Sequence, residues 1–140
     1  ILHRLVGSEM CIRDSCNNML AGINALAAAE AMTMGERLGV SPDILYEVIS
    51  TSTGRSYIFE TSNPMPDVCS TSPANNKFKP GFMAKLMLKD LRLSQAAAQD
   101  AKTSTPLGAA ATAAFQQLID SGFGDLDTSS IIKVIKPESK

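Results

Sequence analysis

This sequence of 140 residues has almost no net charge, a single histidine and no long apolar run. The formal net charge is −1 at pH 7, which gives no electrostatic reason to expect nucleic acid or an anionic membrane as a partner. No apolar run approaches the roughly 18 residues that suggest a membrane span, and the N-terminus lacks the layout of a secretory signal. With 44% hydrophobic residues, the chain has apolar material for one compact domain, which we expect to be soluble and intracellular.

Groups suited to metal or nucleophilic chemistry are equally few. Cys11, Cys16 and Cys69 have no CxxC spacing and are odd in number, which predicts free thiols in a reducing compartment and no metal site. The single histidine, His3, lies in a segment that we expect to be non-native, so no His-based catalytic or metal site is predicted. Neither GxGxxG nor GxxxxGK[ST] occurs, and no pair of carboxylates has hydrolase-like spacing. The chain therefore has no phosphate-binding loop of its own.

The N-terminal segment is predicted to be foreign to the fold. Leu5 to Ser15 reverse-translates to a transposon adapter used in sequencing libraries, and the first residue is not methionine. We therefore predict a non-native leader at 1–15, a helical catalytic or dimerisation domain at 16–137 and a tail at 138–140. Residues 9–15 can still extend the following helix by propensity.

Periodicity and capping residues predict an all-α fold, with one long central helix and shorter helices packed on it. A proline-free stretch rich in alanine, leucine and methionine predicts the long helix over Asn17–Leu38, ending at Gly39. No alternating strand pattern appears, and the proline-rich segment 61–80 is predicted to be an irregular loop. Ser41, Thr105 and Asp127 are helix-capping or helix-starting signals. The remaining helices are predicted at 42–50, 82–102, 106–121 and 127–134.

A strip of small residues on the long helix is the first candidate for a functional surface. Asn18, Gly22, Ala25 and Ala29 lie at i, i+4, i+7 and i+11 and would let another element approach closely. The strip predicts either a ligand wall or a close helix crossing, and the spacing favours the crossing.

An acidic residue among apolar neighbours on the second long helix is the other candidate. Phe82, Leu86 and Asp90 are predicted to share one face, with Lys89 beside it. The alternative is a solvated stripe with Asp90 at its edge, formed by Lys85, Lys89 and Arg92.

Several motifs occur in the order and at the spacing of a known enzyme family. They are Cys16-Asn17-Asn18-Met19-Leu20, Thr53-Gly54-Arg55-Ser56-Tyr57, Asn63-Pro64-Met65-Pro66, Ser72-Pro73-Ala74-Asn75-Asn76 and Leu88-Lys89-Asp90-Leu91. From Cys16 to about Ile135 the chain resembles the helical domain of the 3-hydroxyisobutyrate dehydrogenases, within the β-hydroxyacid dehydrogenase superfamily. The Lys-Asp-Leu motif is common to the superfamily, whereas the loop through Asn63 and Ser72 points to this family.

The resemblance implies the C-terminal part of an enzyme of valine catabolism that oxidises 3-hydroxyisobutyrate to methylmalonate semialdehyde. NAD would be held mainly by a preceding Rossmann domain. Asn18 would orient the substrate and Tyr57 would line the substrate site. The cofactor side would be formed by Phe82, Lys89 and Asp90. The family's catalytic lysine lies one helical turn before Asn18, where this chain has Asp14, so the chain alone is expected to be inactive.

Two alternatives stay open at this point. The chain resembles other β-hydroxyacid dehydrogenases, such as tartronate or succinic semialdehyde reductases, and a non-catalytic helical dimerisation module belongs to a different functional class. The expected partners are a small hydroxy acid and further copies of the chain, without nucleic acid or membrane. The expected compartment is the cytoplasm if the source is bacterial and the mitochondrial matrix if it is eukaryotic.

Overall fold

The computed structural model describes residues 9–137, and within that range it is helical, which confirms the predicted all-α class. No strand occurs among these residues, apart from an isolated bridge between Met83 and Asp127. The predicted features at His3 and in the tail 138–140 lie outside the described residues. The helices are α1 (Glu9–Arg37), α2 (Pro42–Ser50), α3 (Tyr57–Thr61), α4 (Ala84–Asp100), α5 (Pro106–Asp120) and α6 (Ile132–Ile135), with 3-10 turns at Pro73–Asn76 and Thr128–Ile131.

The long helix α1 contacts every other α-helix and the second 3-10 turn. It begins at Glu9 rather than at Asn17, as the helix propensity of residues 9–15 allowed. It ends at Arg37, and Gly39 has a φ of +100°, the left-handed conformation that glycine adopts at low cost after a helix. The boundary between leader and domain at residue 15 stays a prediction.

The strip of small residues on α1 packs against α4. A Cβ atom at Gly22 would lie 3.1 Å from both Met87 Sδ and Leu91 Cδ2, so the absence of a side chain at this position allows the close contact. Ala25 and Ala29 are buried in the same core. The helix-crossing interpretation is therefore confirmed for Gly22, Ala25 and Ala29.

Helices α4 and α5 complete the core with α1. The largest fully buried apolar side chains come from these helices and from the second 3-10 turn: Met32, Leu91, Phe115, Leu118 and Ile131. Helix α4 is shorter than predicted, because the chain is extended at Met83 and the helix begins at Ala84. Phe82 therefore lies before the helix, and the prediction that it shares a helical face with Asp90 is wrong.

The segment between α3 and α4 is irregular, as predicted, but hydrogen bonds from side chains to the backbone hold it in place. The buried Asn63 side chain donates to the carbonyl of Phe59 at 3.1 Å and accepts from the amide of Met65 at 3.0 Å. Ser72 Oγ donates to the carbonyl of Asn63 at 2.5 Å. These side-chain bonds take the place of the backbone hydrogen bonds of a helix or strand, because buried backbone groups need hydrogen-bond partners. The short helix α3 was not predicted.

Candidate functional site

The crossing of α1 and α4 brings together Asn18 and Asp90, which are 72 positions apart in the chain. The amide Nδ2 of Asn18 donates to Asp90 Oδ2 at 3.0 Å, and the pair is partly buried. Gly22 lies one turn after Asn18 and allows α4 to approach this closely. Two residues of the predicted site are thus joined by a direct hydrogen bond.

Ser94 strengthens the same contact, although the sequence analysis did not single it out. Its side chain lies one turn after Asp90, and the residue is 5% exposed. Ser94 Oγ lies 3.0 Å from the carbonyl oxygen of Ser15 and 2.9 Å from that of Asp90. A hydroxyl has one proton, so it donates to one of these carbonyls at a time. Its i+4 spacing from Asp90 is the signal that could have identified it.

Position 14 is adjacent to this pair. Asp14 lies on α1 one turn before Asn18, so the two side chains project from the same face of the helix. Asp14 is exposed and provides a carboxylate where the resemblance implies a lysine. An ionised carboxylate only accepts hydrogen bonds, so it cannot act as the cationic acid that a lysine would supply.

The cations of α4 are exposed, as the solvated-stripe alternative states, whereas Asp90 is partly buried. Lys85 Nζ lies 2.7 Å from Asp125 Oδ1, and this contact lowers the pKa of the exposed Asp125 carboxyl. Arg92 donates to Gln116. Lys89 is exposed and forms no ion pair with another residue of the described chain. The cations are therefore exposed as the stripe interpretation states, and Asp90 beside them is partly buried and accepts from Asn18.

Tyr57 and Phe82 are exposed but have no contact with the Asn18–Asp90 pair among the hydrogen bonds described. Tyr57 is the first residue of α3, and its side chain is 78% exposed. Phe82 is 42% exposed, and its backbone amide donates to Asp127 Oδ1 at 2.8 Å. Helix α4 rises about 1.5 Å per residue, so Asp90 lies roughly 9 Å along the axis from the start at Ala84, and Phe82 precedes that start. The roles of Tyr57 and Phe82 stay predictions.

Asp127 is a buried acid whose position the sequence predicted correctly. Its side chain caps the 3-10 turn by accepting from the amide of Ser129 at 2.9 Å and from Ser129 Oγ at 2.6 Å. With the bond from Phe82, this carboxylate has three donors and serves the fold. It does not extend the Asn18–Asp90 pair.

The other features of the described chain do not suggest a different site. Between residues 9 and 137 no three His, Cys, Asp or Glu side chains are grouped as metal ligands. None of the helices in that range is both long and apolar enough to cross a membrane. A surface pocket of about 380 Å³ lies between α4 and α5, beside Gln95 and Thr105, and does not include Asn18 or Asp90.

The residues present fit a surface that covers a dinucleotide but do not fit one that holds it. Lys89 offers an exposed cation one position before Asp90. A lysine in that state can meet a phosphate or another polar group of a cofactor. The sequence has no glycine-rich turn to receive the pyrophosphate at a helix N-terminus.

Comparison with protein families matches residues 15–135 to the family described as NAD-binding of NADP-dependent 3-hydroxyisobutyrate dehydrogenase. The mitochondrial 3-hydroxyisobutyrate dehydrogenase of Drosophila melanogaster is 37% identical over 123 residues, which cover 88% of this chain and 38% of that protein. The NAD-dependent L-serine dehydrogenase of Pseudomonas aeruginosa is 38% identical over 122 residues, which cover 87% of this chain and 41% of that protein.

A solved structure is also similar. The 3-hydroxyisobutyrate dehydrogenase of Mycobacterium tuberculosis with L-serine matches with a TM-score of 0.85 at 38% identity, over 89% of this chain and 43% of that chain. The chain spans about two fifths of the length of these relatives. The family description and the name of the Pseudomonas relative both specify NAD, which confirms the expected cofactor. On this evidence the chain belongs to the NAD-binding family of the NADP-dependent 3-hydroxyisobutyrate dehydrogenases.

Proposed function

We propose that this chain is the helical part of an NAD-dependent dehydrogenase that oxidises 3-hydroxyisobutyrate to methylmalonate semialdehyde in valine catabolism. The observation that carries the proposal is the amide of Asn18, held by Asp90 at a helix crossing within the matched region. The named relatives support a β-hydroxyacid dehydrogenase, and the resemblance of the loop 63–76 supports this substrate within the class.

Each side of the site has a proposed task. When bound, NAD supplies the hydride acceptor. Asn18 offers its side-chain amide to a polar group of the substrate, and Tyr57 provides an exposed aromatic side chain on the substrate side. Lys89 and Phe82 are proposed to face the cofactor, since both are exposed on the α4 side of the crossing.

We propose that the chain alone does not catalyse this oxidation. It has no glycine-rich turn for the pyrophosphate, and position 14 has an aspartate in place of the lysine that would exchange a proton with the reacting oxygen. These two deficits are independent. A proton-transfer group gives no turnover unless the hydride acceptor is bound within reach.

Turnover assays on the chain and on its Asp14→Lys variant test this proposal. Neither protein should reduce NAD in the presence of 3-hydroxyisobutyrate. A fusion of the chain to a complete Rossmann domain of the family, with lysine at position 14, should do so. The same fusion with Asp14 retained is the matched control and should remain inactive. Reduction of NAD by the unfused chain, or no turnover by the lysine fusion when it is folded and binds NAD, would contradict the proposal.

L-serine is a second candidate substrate. One relative at 38% identity is an L-serine dehydrogenase, and the similar solved structure contains L-serine. Serine and 3-hydroxyisobutyrate are both 3-hydroxy acids and differ in the group on C2, which is an ammonium in serine and a methyl in 3-hydroxyisobutyrate. The ratio of kcat/KM for the two substrates in the active fusion distinguishes them, and our proposal expects the higher value for 3-hydroxyisobutyrate.

We also propose that the chain forms a homo-oligomer. Several large apolar side chains near the junction of α1 and α2 are exposed, and contiguous apolar surface of this kind often marks an interaction site. They are Met34, Leu38, Ile44 and Val48, at 63%, 76%, 56% and 56% exposure. The compartment stays a prediction, although mitochondrial and bacterial proteins are both found among the relatives.

A further inference from the structure

We propose that Asp90 is a positioning residue that fixes the orientation of the Asn18 amide. This role differs from the cofactor contact that the resemblance implies for Asp90. The positioning role is inferred from the hydrogen bond of 3.0 Å between Asn18 Nδ2 and Asp90 Oδ2. The effect of Asp90 on substrate binding rests on the proposed function, whereas the hydrogen bond between Asp90 and Asn18 does not depend on that function.

The chemistry of the pair determines which way the amide faces. An ionised carboxylate can only accept, so the NH₂ end of Asn18, and not its oxygen, must face Asp90. The Oδ1 atom of Asn18 then faces away from Asp90 and accepts from the side-chain Nδ2 of the exposed Asn17 at 3.3 Å. A carbonyl oxygen has two lone pairs, so one acceptor position stays available, together with the second N–H of Nδ2.

A neutral partner would not impose this orientation. An asparagine at position 90 could meet either end of the Asn18 amide, because it carries both donors and acceptors. Asp90 is itself well placed to impose direction, because α4 is held against α1 at Gly22 and Ser94. The substrate therefore meets an amide with a defined donor and a defined acceptor, which is what orientation of a hydroxy acid requires.

Nuclear magnetic resonance of the full chain tests the contact directly. At neutral pH the side-chain NH₂ resonances of Asn18 should be moved downfield from those of a free asparagine amide, because one of these protons donates to the Asp90 carboxylate. Asp90→Asn should abolish at least half of that movement. Asp14→Asn is the matched control, because Asp14 is the other carboxylate near Asn18 and makes no hydrogen bond to it. The control should retain the movement.

The possible outcomes separate this inference from the proposed function. Loss of the downfield movement in Asp90→Asn alone supports the positioning role. An unchanged movement in that variant, or an equal loss in Asp14→Asn, overturns it and leaves the dehydrogenase proposal standing. In the active fusion, Asp90→Asn should lower kcat more than it raises KM for NAD, whereas a cofactor contact would mainly raise KM for NAD.

Discussion

At the scale of single residues, buried polar groups decide most of what is specific to this chain. Ser94 and Asp127 satisfy backbone groups 79 and 45 positions away in the chain, whereas the partners of the Asn63 side chain lie within four positions. Only Asp127 was predicted, because a capping residue has a local signal in the sequence. The partners of Ser94 and Asn18 depend on which helices cross, and no local pattern specifies a contact between residues 72 positions apart.

Tyr46 is predicted to make the stability of the fold depend on pH in the alkaline range. Its hydroxyl donates to the carbonyl of Glu60 at 2.5 Å, and burial, aided by the nearby Cys69, raises the pKa of Tyr46 above 10.0. A group whose pKa is higher in the folded state contributes stability below its unfolded pKa and loses it as the pH rises through the folded value. The free energy of unfolding should therefore fall above pH 10, and it should fall less in Tyr46→Phe.

Urea unfolding between pH 8 and pH 11 provides the measurement. Tyr57→Phe is the control, because that side chain is 78% exposed and should leave the alkaline loss as it is in the wild type. Equal slopes for the wild type and Tyr46→Phe would show that Tyr46 does not contribute.

At the scale of helices, periodicity and caps predicted α1, α2, α5 and the last turn closely. The start of α4 was predicted too early, because nothing local marks the extended conformation at Met83 that ends the preceding loop. Helix α3 is only five residues long and follows an exposed turn, so it is too short to show the hydrophobic periodicity that predicts a helix. For the strip of small residues on α1, the sequence allowed either a ligand wall or a close helix crossing. The packing of Gly22 against α4 shows the crossing.

The α1–α4 crossing gives the element-scale prediction. Gly22→Val would push a Cβ atom and two methyl groups into Met87 and Leu91, which a Cβ alone would meet at 3.1 Å. Overpacking of this kind costs about 1–3 kcal/mol, which exceeds the fraction of a kcal/mol that valine gains over glycine in helix propensity. Chemical denaturation should show this loss. Ala27→Val is the control, because Ala27 is exposed on the same helix, and it should cost no more than about 0.7 kcal/mol. Equal stabilities would contradict the close crossing.

At the scale of the whole molecule, the sequence predicted the class of the fold and the family, but not which site residues meet. Asn18 and Asp90 are brought together, whereas Tyr57 and Phe82 lie on separate exposed segments. Which of these side chains meet depends on contacts between residues far apart in the chain, and no local pattern specifies such contacts.

Self-association is the first whole-molecule prediction. If the apolar surface near the junction of α1 and α2 binds a second copy, sedimentation velocity should show a concentration-dependent increase in mass. Replacing Ile44 and Val48 with serine should shift the equilibrium towards the monomer, because both side chains are 56% exposed and their burial would stabilise the contact. Leu107→Ser, at an equally exposed position on α5, should have little effect. A dispersed wild-type monomer at all concentrations would contradict the proposal.

The role of Asn18 in turnover is the central claim, and its most direct test is kinetic. In the fusion that carries a Rossmann domain and lysine at position 14, Asn18→Ala should lower kcat/KM for 3-hydroxyisobutyrate by about ten- to a thousandfold. This corresponds to roughly 1.4–4 kcal/mol, the range expected for an aligned polar contact in the transition state. Glu30→Ala, at an exposed position further along α1, should stay within about threefold of the parent fusion, a difference of roughly 0.7 kcal/mol. Parent-like kinetics for Asn18→Ala would show that Asn18 serves only the helix crossing and would contradict the account.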